Sequence, residues 1–260
     1  MAPFLDALRT LPVWAAALLA LAENALLVGV GVGCGHLVLR SGGASGAGAG
    51  PGARVGSDGP VVRGENQTDH LQRVLAGAAV LGNAAVTLLG WYLWKQGLIH
   101  LDPHLSWGTL VDLLLLILIM DAVMYAGHAL AHLRRLFPLA HQLHHRFTDA
   151  RPMTLFALHP AEVLGFGAVW IGVLAVYTFD AWAVAAYTVV NLIFGVLGHL
   201  GLDPTPPRIR RSAVFYLVAT PALHDGHHRD PRYNLGFYTT IGDRLFGTLA
   251  PDYDRERTGT

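Results

Sequence analysis

The chain has 260 residues, of which 53% are hydrophobic and 14% are charged, and its formal net charge is zero. Soluble proteins carry about 25% charged residues, so this composition argues against a soluble domain and favours a membrane protein. The single cysteine, Cys34, excludes a disulfide framework and a cysteine-based metal site. The zero net charge gives no sign of a nucleic-acid partner, and none is predicted.

The first 40 residues predict a single membrane span. Their apolar stretch, residues 11–39, is too long for a signal peptide, and "AENALL" follows where a cleavage site is needed, so we expect the span to be retained. Within it, Gly29 and Gly33, and Gly31 and Gly35, have a spacing that lets helices approach closely. Residues 41–70 are rich in Gly and Ala and predict a flexible linker.

The remaining residues, 71–260, contain three further apolar stretches. About 20 apolar residues cross a bilayer, and the last stretch is long enough to cross twice, with Asp180 at the turn between the crossings. The sequence therefore predicts an all-α integral membrane protein with about five transmembrane helices. The four spans after the linker are expected near residues 74–94, 110–132, 157–179 and 181–200. Residues 133–156 and 201–260 are predicted to form a helical cap outside the membrane.

Basic residues are distributed unevenly between the predicted connections. Arg9 and Lys95 fall on one side of the membrane, and the other 16 of the 18 Lys and Arg residues fall on the opposite side. Cytosolic connections carry an excess of Lys and Arg. The distribution therefore predicts an external N-terminus, with the C-terminus and the cap in the cytosol.

Three histidine clusters follow the second span. His128 and His132 are four residues apart, and two HxxHH motifs follow: His141, His144 and His145, and then His224, His227 and His228. Residues three or four apart share a helix face, so each cluster is expected to aim its imidazoles at one point. One such pair is common by chance, but three clusters of unmetallated imidazoles would have no compensation for their desolvation. The clusters therefore predict metal binding.

The predicted crossings place all three clusters on the same, cytosolic face. The first cluster ends a span, and the second follows after eight residues without another crossing. The third lies 79 residues beyond His145, across two predicted spans, so the chain returns to the same side. The topology therefore allows one shared site.

The histidine ligands do not by themselves identify the metal. Imidazole binds zinc, copper, iron and nickel. Eight histidines exceed what one ion can take, which favours two ions. The Glu-x-x-His pairs of soluble di-iron proteins are absent, so an all-histidine pair of irons fits better.

The order of these motifs resembles the fatty acid hydroxylase/sterol desaturase superfamily of membrane di-iron oxygenases. Asp121, Tyr125, His128 and His132 match its first histidine motif, D-x3-Y-x2-H-x3-H. The resemblance continues through "HPAE" from His159, "TPALHDGHH" from Thr220, "NLG" from Asn234 and "GDRLFGT" from Gly242, and it covers about residues 110–251. Leu235 and Gly242 depart from the usual pattern, which leaves the subfamily and substrate open.

The resemblance implies a set of site residues. It adds His199 to the eight clustered histidines as a metal ligand, and it leaves His159 and Asp203 as possible ligands. Metal-bound imidazoles usually donate their other N–H to a carboxylate or carbonyl, so nearby acids are candidates to orient the rings. The acidic candidates are Asp121, Glu162, Asp225 and Asp243, and the family motifs add Tyr125 and Asn234.

The resemblance also implies an activity. It predicts an oxidoreductase that uses two irons and O2 to hydroxylate, or alternatively desaturate, a C–H bond of a lipid such as a fatty acyl chain or sterol. No flavin or nicotinamide fingerprint is present, so electrons are expected from a partner such as a ferredoxin, a cytochrome b5-like protein or a reductase. Arg208, Arg210 and Arg211 could dock that partner or simply anchor the chain at the membrane.

Two other functions remain open from the sequence. A histidine-rich metal transporter would place its binding site near the bilayer midplane, whereas these clusters lie at or beyond the ends of the spans. A zinc-binding membrane protein without turnover would need the same histidines but no O2 chemistry.

Overall fold

The computed structural model describes residues 1–43, 63–147 and 151–258. Most of the predicted linker, residues 44–62, lies outside this part of the chain. In the described part, the helices are α1 Ala2–Thr10, α2 Val13–Gly43, α3 Arg63–Lys95, α4 Trp107–Ala131, α5 Phe137–Ala140, α6 Pro160–Val176, α7 Ala181–Gly198, α8 Pro207–Arg210, α9 Pro221–Arg229, α10 Ile241–Phe246 and α11 Tyr253–Thr258. Short 3-10 turns are His144–Arg146, Thr154–Phe156 and Val214–Tyr216, and the strands are β1 Leu101–Asp102 and β2 Phe179–Asp180.

Four of the described helices are long and apolar enough to cross a membrane. Their membrane-length segments are Val13–Ser41, Asp69–Lys95, Trp107–Ala131 and Ala181–Gly198. Helix α6 is equally apolar but has only 17 residues, which is the lower limit for a crossing. The protein is therefore an all-α, multi-pass membrane protein, and the fifth crossing stays a prediction.

The connections α3–α4 and α6–α7 meet at one end of the helix bundle. Asp180 caps α7 by accepting hydrogen bonds from the backbone amides of Trp182 and Ala183, as a residue at a helix start commonly does. It also accepts a 2.6 Å hydrogen bond from Thr109 in the first turn of α4. Strands β1 and β2 pair in parallel beside this contact. The two connections are therefore joined at a single end.

The same end carries the two isolated basic residues. The guanidinium of Arg9 lies 4.7 Å from the Trp94 ring centroid, and Lys95 Nζ donates to the Leu11 carbonyl at 2.9 Å. The first contact joins the end of α3 to α1, and the second joins it to the α1–α2 connection. Arg9 and Lys95 thus lie at the same end of the helix bundle, and the described histidine clusters lie at the opposite end.

Close helix packing uses one of the two glycine pairs in α2. A Cβ at Gly31 would meet Phe156 at 2.9 Å, and one at Gly35 would meet Pro152 at 2.5 Å. A Cβ at Gly29 or Gly33 would meet nothing within 4 Å. Helix α2 therefore docks against the cap and α7 through the face of Gly31 and Gly35.

Candidate metal centre

Nine histidines form two groups at the end of the helix bundle opposite Arg9 and Lys95. Within each group the ligand atoms all lie within 4.8 Å of one another. We call them the five-histidine group and the four-histidine group. The first contains His128, His132, His141, His145 and His227, and the second contains His144, His199, His224 and His228.

The expectation that each cluster aims all its rings at one point was wrong for both HxxHH motifs. His141 and His145 lie in the five-histidine group, but His144 lies in the other. Residues four apart on a helix differ by about 40° in direction, whereas the residue three along points about 100° away from the residue four along. An HxxHH motif therefore presents a pair to one side and a single ring to the other. The third cluster does the same, with His224 and His228 opposite His227.

The two groups are close neighbours. The ring centroids of His145 and His228, one from each group, are 5.0 Å apart, and those of His144 and His141 are 5.3 Å apart. The adjacent residues His144 and His145 lie in a 3-10 turn between the groups. That turn, together with α9, therefore supplies ligands to both sides.

The rings face one another through their Nε2 atoms. In the five-histidine group, His128 and His141 are 3.0 Å apart at Nε2, and His145 and His227 are 3.1 Å apart. In the four-histidine group, His224 Nε2 lies 3.1 Å from both His199 and His228. Two imidazole nitrogens bound to one ion at ~2.1 Å and at right angles would lie roughly 3 Å apart. The spacing is therefore that of ligands around a shared ion.

Backbone carbonyls orient three of these rings from outside. Nδ1 of His128 donates to the Leu235 carbonyl at 2.9 Å, and Nδ1 of His227 donates to the Tyr233 carbonyl at 2.7 Å. Nδ1 of His199 donates to the Gly195 carbonyl at 2.8 Å. A carbonyl can only accept, so the hydrogen of each neutral ring is on Nδ1 and the Nε2 lone pair points inward.

The loop that supplies two of these carbonyls is built by the "NLG" motif. Asn234, at φ 59°, adopts the left-handed conformation that asparagine tolerates, and it lies between Tyr233 and Leu235, the two residues of the loop whose carbonyls accept from ligand rings. Asp243 accepts from the amides of Leu235 and Gly236 at 2.7 and 2.8 Å. A Cβ at Gly236 would lie 2.4 Å from the Thr239 carbonyl. Asn234 and Asp243 thus hold the loop, not a ring.

Glu162 is the acid that contacts a ring directly. Its Oε1 accepts from His141 Nδ1 at 2.8 Å, and both side chains are buried. Glu162 lies in the first turn of α6, one residue after the Pro-Ala that follows His159. The "HPAE" element therefore contributes its glutamate to the five-histidine group.

Three other candidates contact the surrounding chain instead of a ligand ring. Asp121 accepts from the amides of Tyr238 and Thr239 at 3.0 and 2.9 Å. Tyr125 shares a 2.9 Å hydrogen bond with Thr248. Asp225 forms an ion pair with Arg229 at 3.3 Å. Backbone amides, a threonine hydroxyl and an arginine are the partners of these three side chains, and within the described residues no hydrogen bond joins any of the three to a ligand ring. That they help to orient the rings stays a prediction.

The two possible ligands lie outside both groups. Nδ1 of His159 accepts from the Ala161 amide at 3.2 Å, so His159 caps α6. Asp203 faces Arg210 at 3.5 Å and accepts from the Thr205 amide. Arg210 in turn accepts from Arg257 through its carbonyl, and Arg211 donates to Thr258, so these arginines also brace the C-terminal helix.

Burial keeps the ring nitrogens uncharged. Desolvation lowers the pKa of His199 and of His145 to about 4, with a smaller contribution from His128 at His145. Desolvation, and then the neighbouring His128 and His145, lower the pKa of His132 to about 3. Neutral imidazole is the form that binds metal.

A metal resolves two otherwise unfavourable features of the site. Among the described residues, His132 Nε2 is buried without a hydrogen-bond partner. His128 and His141 point unprotonated Nε2 atoms at each other across 3.0 Å, because both donate through Nδ1. Lone pairs at that distance repel unless a cation lies between them. The residues present therefore fit two adjacent metal ions.

A cavity of about 370 Å³ leads from the two groups into the helix bundle. Its histidine end is lined from both groups, by His128 and His141 of one and by His144, His199 and His224 of the other. Deeper residues come from α2, α3, α4, α6 and α7 and include Met120, Met124, Phe166 and Trp170. The site thus opens onto a largely apolar chamber between the spans.

Comparison with known proteins gives relatives with lipid-related names. The chain is 28% identical over 185 residues to "Very-long-chain aldehyde decarbonylase GL1-8" of Oryza sativa subsp. indica, covering 68% of this chain and 65% of that protein. It is 31% identical over 130 residues to "Methylsterol monooxygenase 1" of Gallus gallus, covering 50% of this chain and 43% of that protein. The chain thus spans less than two thirds of these relatives. No solved structure matches it.

A family model covers the part of the chain that holds the histidine groups. The model described as "Fatty acid hydroxylase" matches residues 113–248, which is about half of the chain. The matched residues include every member of both histidine groups and Glu162. The chain belongs to the fatty acid hydroxylase family.

Proposed function

We propose that this protein is a membrane-bound, O2-dependent oxygenase that hydroxylates a C–H bond of a lipid, with desaturation as the alternative outcome. The observation that carries the proposal is that histidines of both groups line one end of a single, largely apolar cavity between the spans. Two irons held there and reduced by a partner would supply the activation of O2 and the removal of hydrogen from the lipid. The ligand set is the nine histidines of the two groups.

The chain's own residues bind and position the reactants. The cavity walls accept an alkyl chain or ring system that reaches them from the bilayer. Glu162 and the carbonyls of Leu235, Tyr233 and Gly195 fix four rings, so that their Nε2 atoms are aimed before any metal binds. The relatives named for a very-long-chain aldehyde and a methylsterol support a lipid substrate.

The proposed orientation places the histidine end in the cytosol. It rests on the excess of Lys and Arg predicted at that end, with Arg9 and Lys95 at the other. The electron donor would be a cytosolic ferredoxin, cytochrome b5-like protein or reductase. Arg208 and Arg211 are exposed on the cap and offer positive charge to an acidic donor.

The proposal is tested on the purified, iron-loaded chain by metal analysis and oxygen consumption. We expect two irons per chain and oxygen uptake that depends on added reductant and increases with a lipid extract. A chain that holds zinc stably and shows no uptake after iron reconstitution would instead be a zinc-binding membrane protein. Metal accumulation across proteoliposomes without oxygen uptake would indicate a transporter.

A further inference from the structure

A second, smaller cavity lies between α7 and the start of α9. Its volume of about 20 Å³, counted for the centre of a water-sized molecule, exceeds the roughly 10–15 Å³ that one such molecule needs. It therefore has room for one water or one diatomic molecule, and it is too small for an alkyl chain. Its lining includes Phe194, Leu197, Ala219, Leu223, His224 and Phe237.

Two side chains separate this small cavity from the chamber between the spans. His224 and Phe237 line both, whereas Phe194, Leu197 and Ala219 line only the small cavity. His224 belongs to the four-histidine group. A molecule in the small cavity is thus one side chain away from the histidine end of the chamber.

The walls of the small cavity offer few hydrogen-bond partners. Thr220, the other polar side chain of the lining, is occupied, because its amide donates to the Tyr253 hydroxyl at 3.2 Å and its own hydroxyl lies 3.2 Å from the same oxygen. Among the described residues, His224 Nδ1 is buried without a partner. A buried water needs roughly two to four polar partners, whereas apolar cavities stay dry and bind nonpolar gases such as xenon. The walls therefore favour a small apolar molecule over water.

The α7 wall of the small cavity is next to the bilayer. Val189 and Ile193 are 57% and 49% exposed and lie four residues apart on α7, so they mark the face of this span that is open to lipid. Leu197 is the next residue on that face, is half-buried and lines the cavity. One side chain therefore separates the cavity from the bilayer.

We propose that the small cavity binds dioxygen and supplies it to the histidine groups from the bilayer, by a route separate from the chamber that receives the lipid. The inference rests on the proposed function, in which O2 is the co-substrate. Dioxygen is diatomic, apolar and more soluble in hydrocarbon than in water, so it fits the size, the walls and the position of this cavity. Phe237 is the side chain whose rotation would join the two cavities, because His224 is held as a ligand. A lipid in the chamber would then not obstruct the arrival of O2.

Fluorine NMR tests whether O2 occupies the small cavity. The full-length chain is labelled with 4-fluorophenylalanine and loaded with zinc, which is diamagnetic and supports no turnover. Paramagnetic O2 accelerates the relaxation of nearby fluorine nuclei. We expect the Phe194 signal, assigned through Phe194→Leu, to relax faster under O2 than under argon, because this ring lines the small cavity and not the chamber.

Two variants that obstruct the small cavity locate the effect. Ala219→Val adds two methyl groups to its lining, and Leu197→Trp closes its bilayer side, where lipid can accommodate the larger side chain. Each should remove most of the O2-dependent relaxation of Phe194. The matched controls are Ala222→Val, which packs on the same apolar cluster, and Ile193→Trp, one turn away on the same face. Neither control residue lines the cavity, so both variants should keep the effect.

Oxygen kinetics of the iron-loaded chain test the supply route. We expect Ala219→Val and Leu197→Trp to raise the KM for O2 several-fold, while kcat at saturating O2 and the KM for the lipid stay unchanged. The physical reason is that both variants obstruct the arrival of O2 and leave the histidine groups and the chamber intact. Ala222→Val and Ile193→Trp should keep the KM for O2 of the unmodified chain.

The outcomes separate this inference from the proposed function. O2-dependent relaxation of Phe194 that persists in both obstructing variants overturns the O2 site, and an unchanged KM for O2 in both overturns the supply route. Magnetisation transfer from water to the Phe194 fluorine, without O2-dependent relaxation, assigns the cavity to a water bound by His224 and also overturns the inference. O2-dependent relaxation that both variants remove, in an iron-loaded chain that consumes no oxygen, supports the O2 site and overturns the oxygenase instead.

Discussion

Individual histidines within the family motifs of this chain have different expected roles. His144 lies inside the four-histidine group, whereas His159 caps α6 and contacts neither group. Both are within a short stretch of sequence, and both matched family motifs. The contacts of each side chain, and not its place in a family motif, decide whether it can hold a metal.

A pair of alanine variants tests this difference. We expect His144→Ala to lower the iron content from two ions per chain toward one and to abolish turnover, while membrane insertion is unchanged. His159→Ala should keep both ions and lose only the helix cap, at a cost of about 1 kcal/mol in unfolding free energy. Metal analysis and thermal unfolding of both variants check the prediction. Unchanged iron in His144→Ala would remove this residue from the ligand set.

Glu162 allows a second test at the same scale. Its hydrogen bond to His141 Nδ1 fixes the ring, and removal of such a partner typically weakens metal affinity 10- to 100-fold. We therefore expect Glu162→Ala to weaken iron binding by about that factor, as measured by competition with a chelator. Asp225→Ala is the control, because Asp225 pairs with Arg229 and touches no ligand ring through a hydrogen bond. Equal losses in the two variants would contradict a positioning role for Glu162.

At the scale of helices and motifs, the convergence of the three histidine clusters could be predicted, but not which of the two groups each ring joins. Counting crossings placed all clusters at one end of the bundle, and the structure brings them into contact. Helical spacing separates each HxxHH motif into a pair and a single ring. Which group receives the pair depends on the 3-10 turn at His144–Arg146 and on the position of α9, and neither has a sequence signature of its own. The same holds for the carbonyls of Tyr233 and Gly195, since every residue has one.

The sequence identified some loop residues as part of the site but predicted another role for them. Asn234 and Asp243 were expected to orient rings, and in the structure they hold the loop whose carbonyls do so. Gly242, which departs from the family pattern, leaves room for Tyr125: a Cβ there would lie 2.6 Å from that ring. Sequence patterns thus located the right segments, while the contacting atoms depended on tertiary packing.

The packing of α2 against the cap predicts how substitutions of its glycines affect stability. Gly35→Leu should push α2 away from Pro152 and destabilise the fold by about 1 to 3 kcal/mol, because a Cβ at this position already clashes. Gly33→Leu, two residues away on an open face, should leave stability nearly unchanged. Thermal unfolding of the solubilised variants measures the difference. Similar melting temperatures would show that α2 does not dock through Gly35.

For the whole molecule, the fold class follows from composition and apolar stretches because they dictate helices that cross a bilayer. Four described helices meet that requirement, and α6 is shorter than expected because the stretch after the second cluster begins with a 3-10 turn at Thr154–Phe156 and an extended approach to His159. The cavity could not be predicted, since its walls come from five helices that are distant in sequence.

The arrangement of the whole molecule links the metal centre to the bilayer. Both histidine groups lie at the end of a chamber lined by the spans, and the proposed function has a lipid reach them without leaving the membrane. This arrangement places a candidate metal centre at the ends of the spans and apolar walls between them in one chain. The central claim is that oxygen from O2 is transferred to a lipid held in this chamber.

Incubation under ¹⁸O2 tests that claim most directly. The iron-loaded chain is supplied with reductant and a membrane lipid extract, and the lipids are analysed by mass spectrometry, with His144→Ala as the control. We predict a hydroxylated lipid that carries ¹⁸O from O2, and none with the variant. A chain that holds two irons and consumes oxygen, yet yields neither a labelled nor a desaturated lipid, would contradict the account.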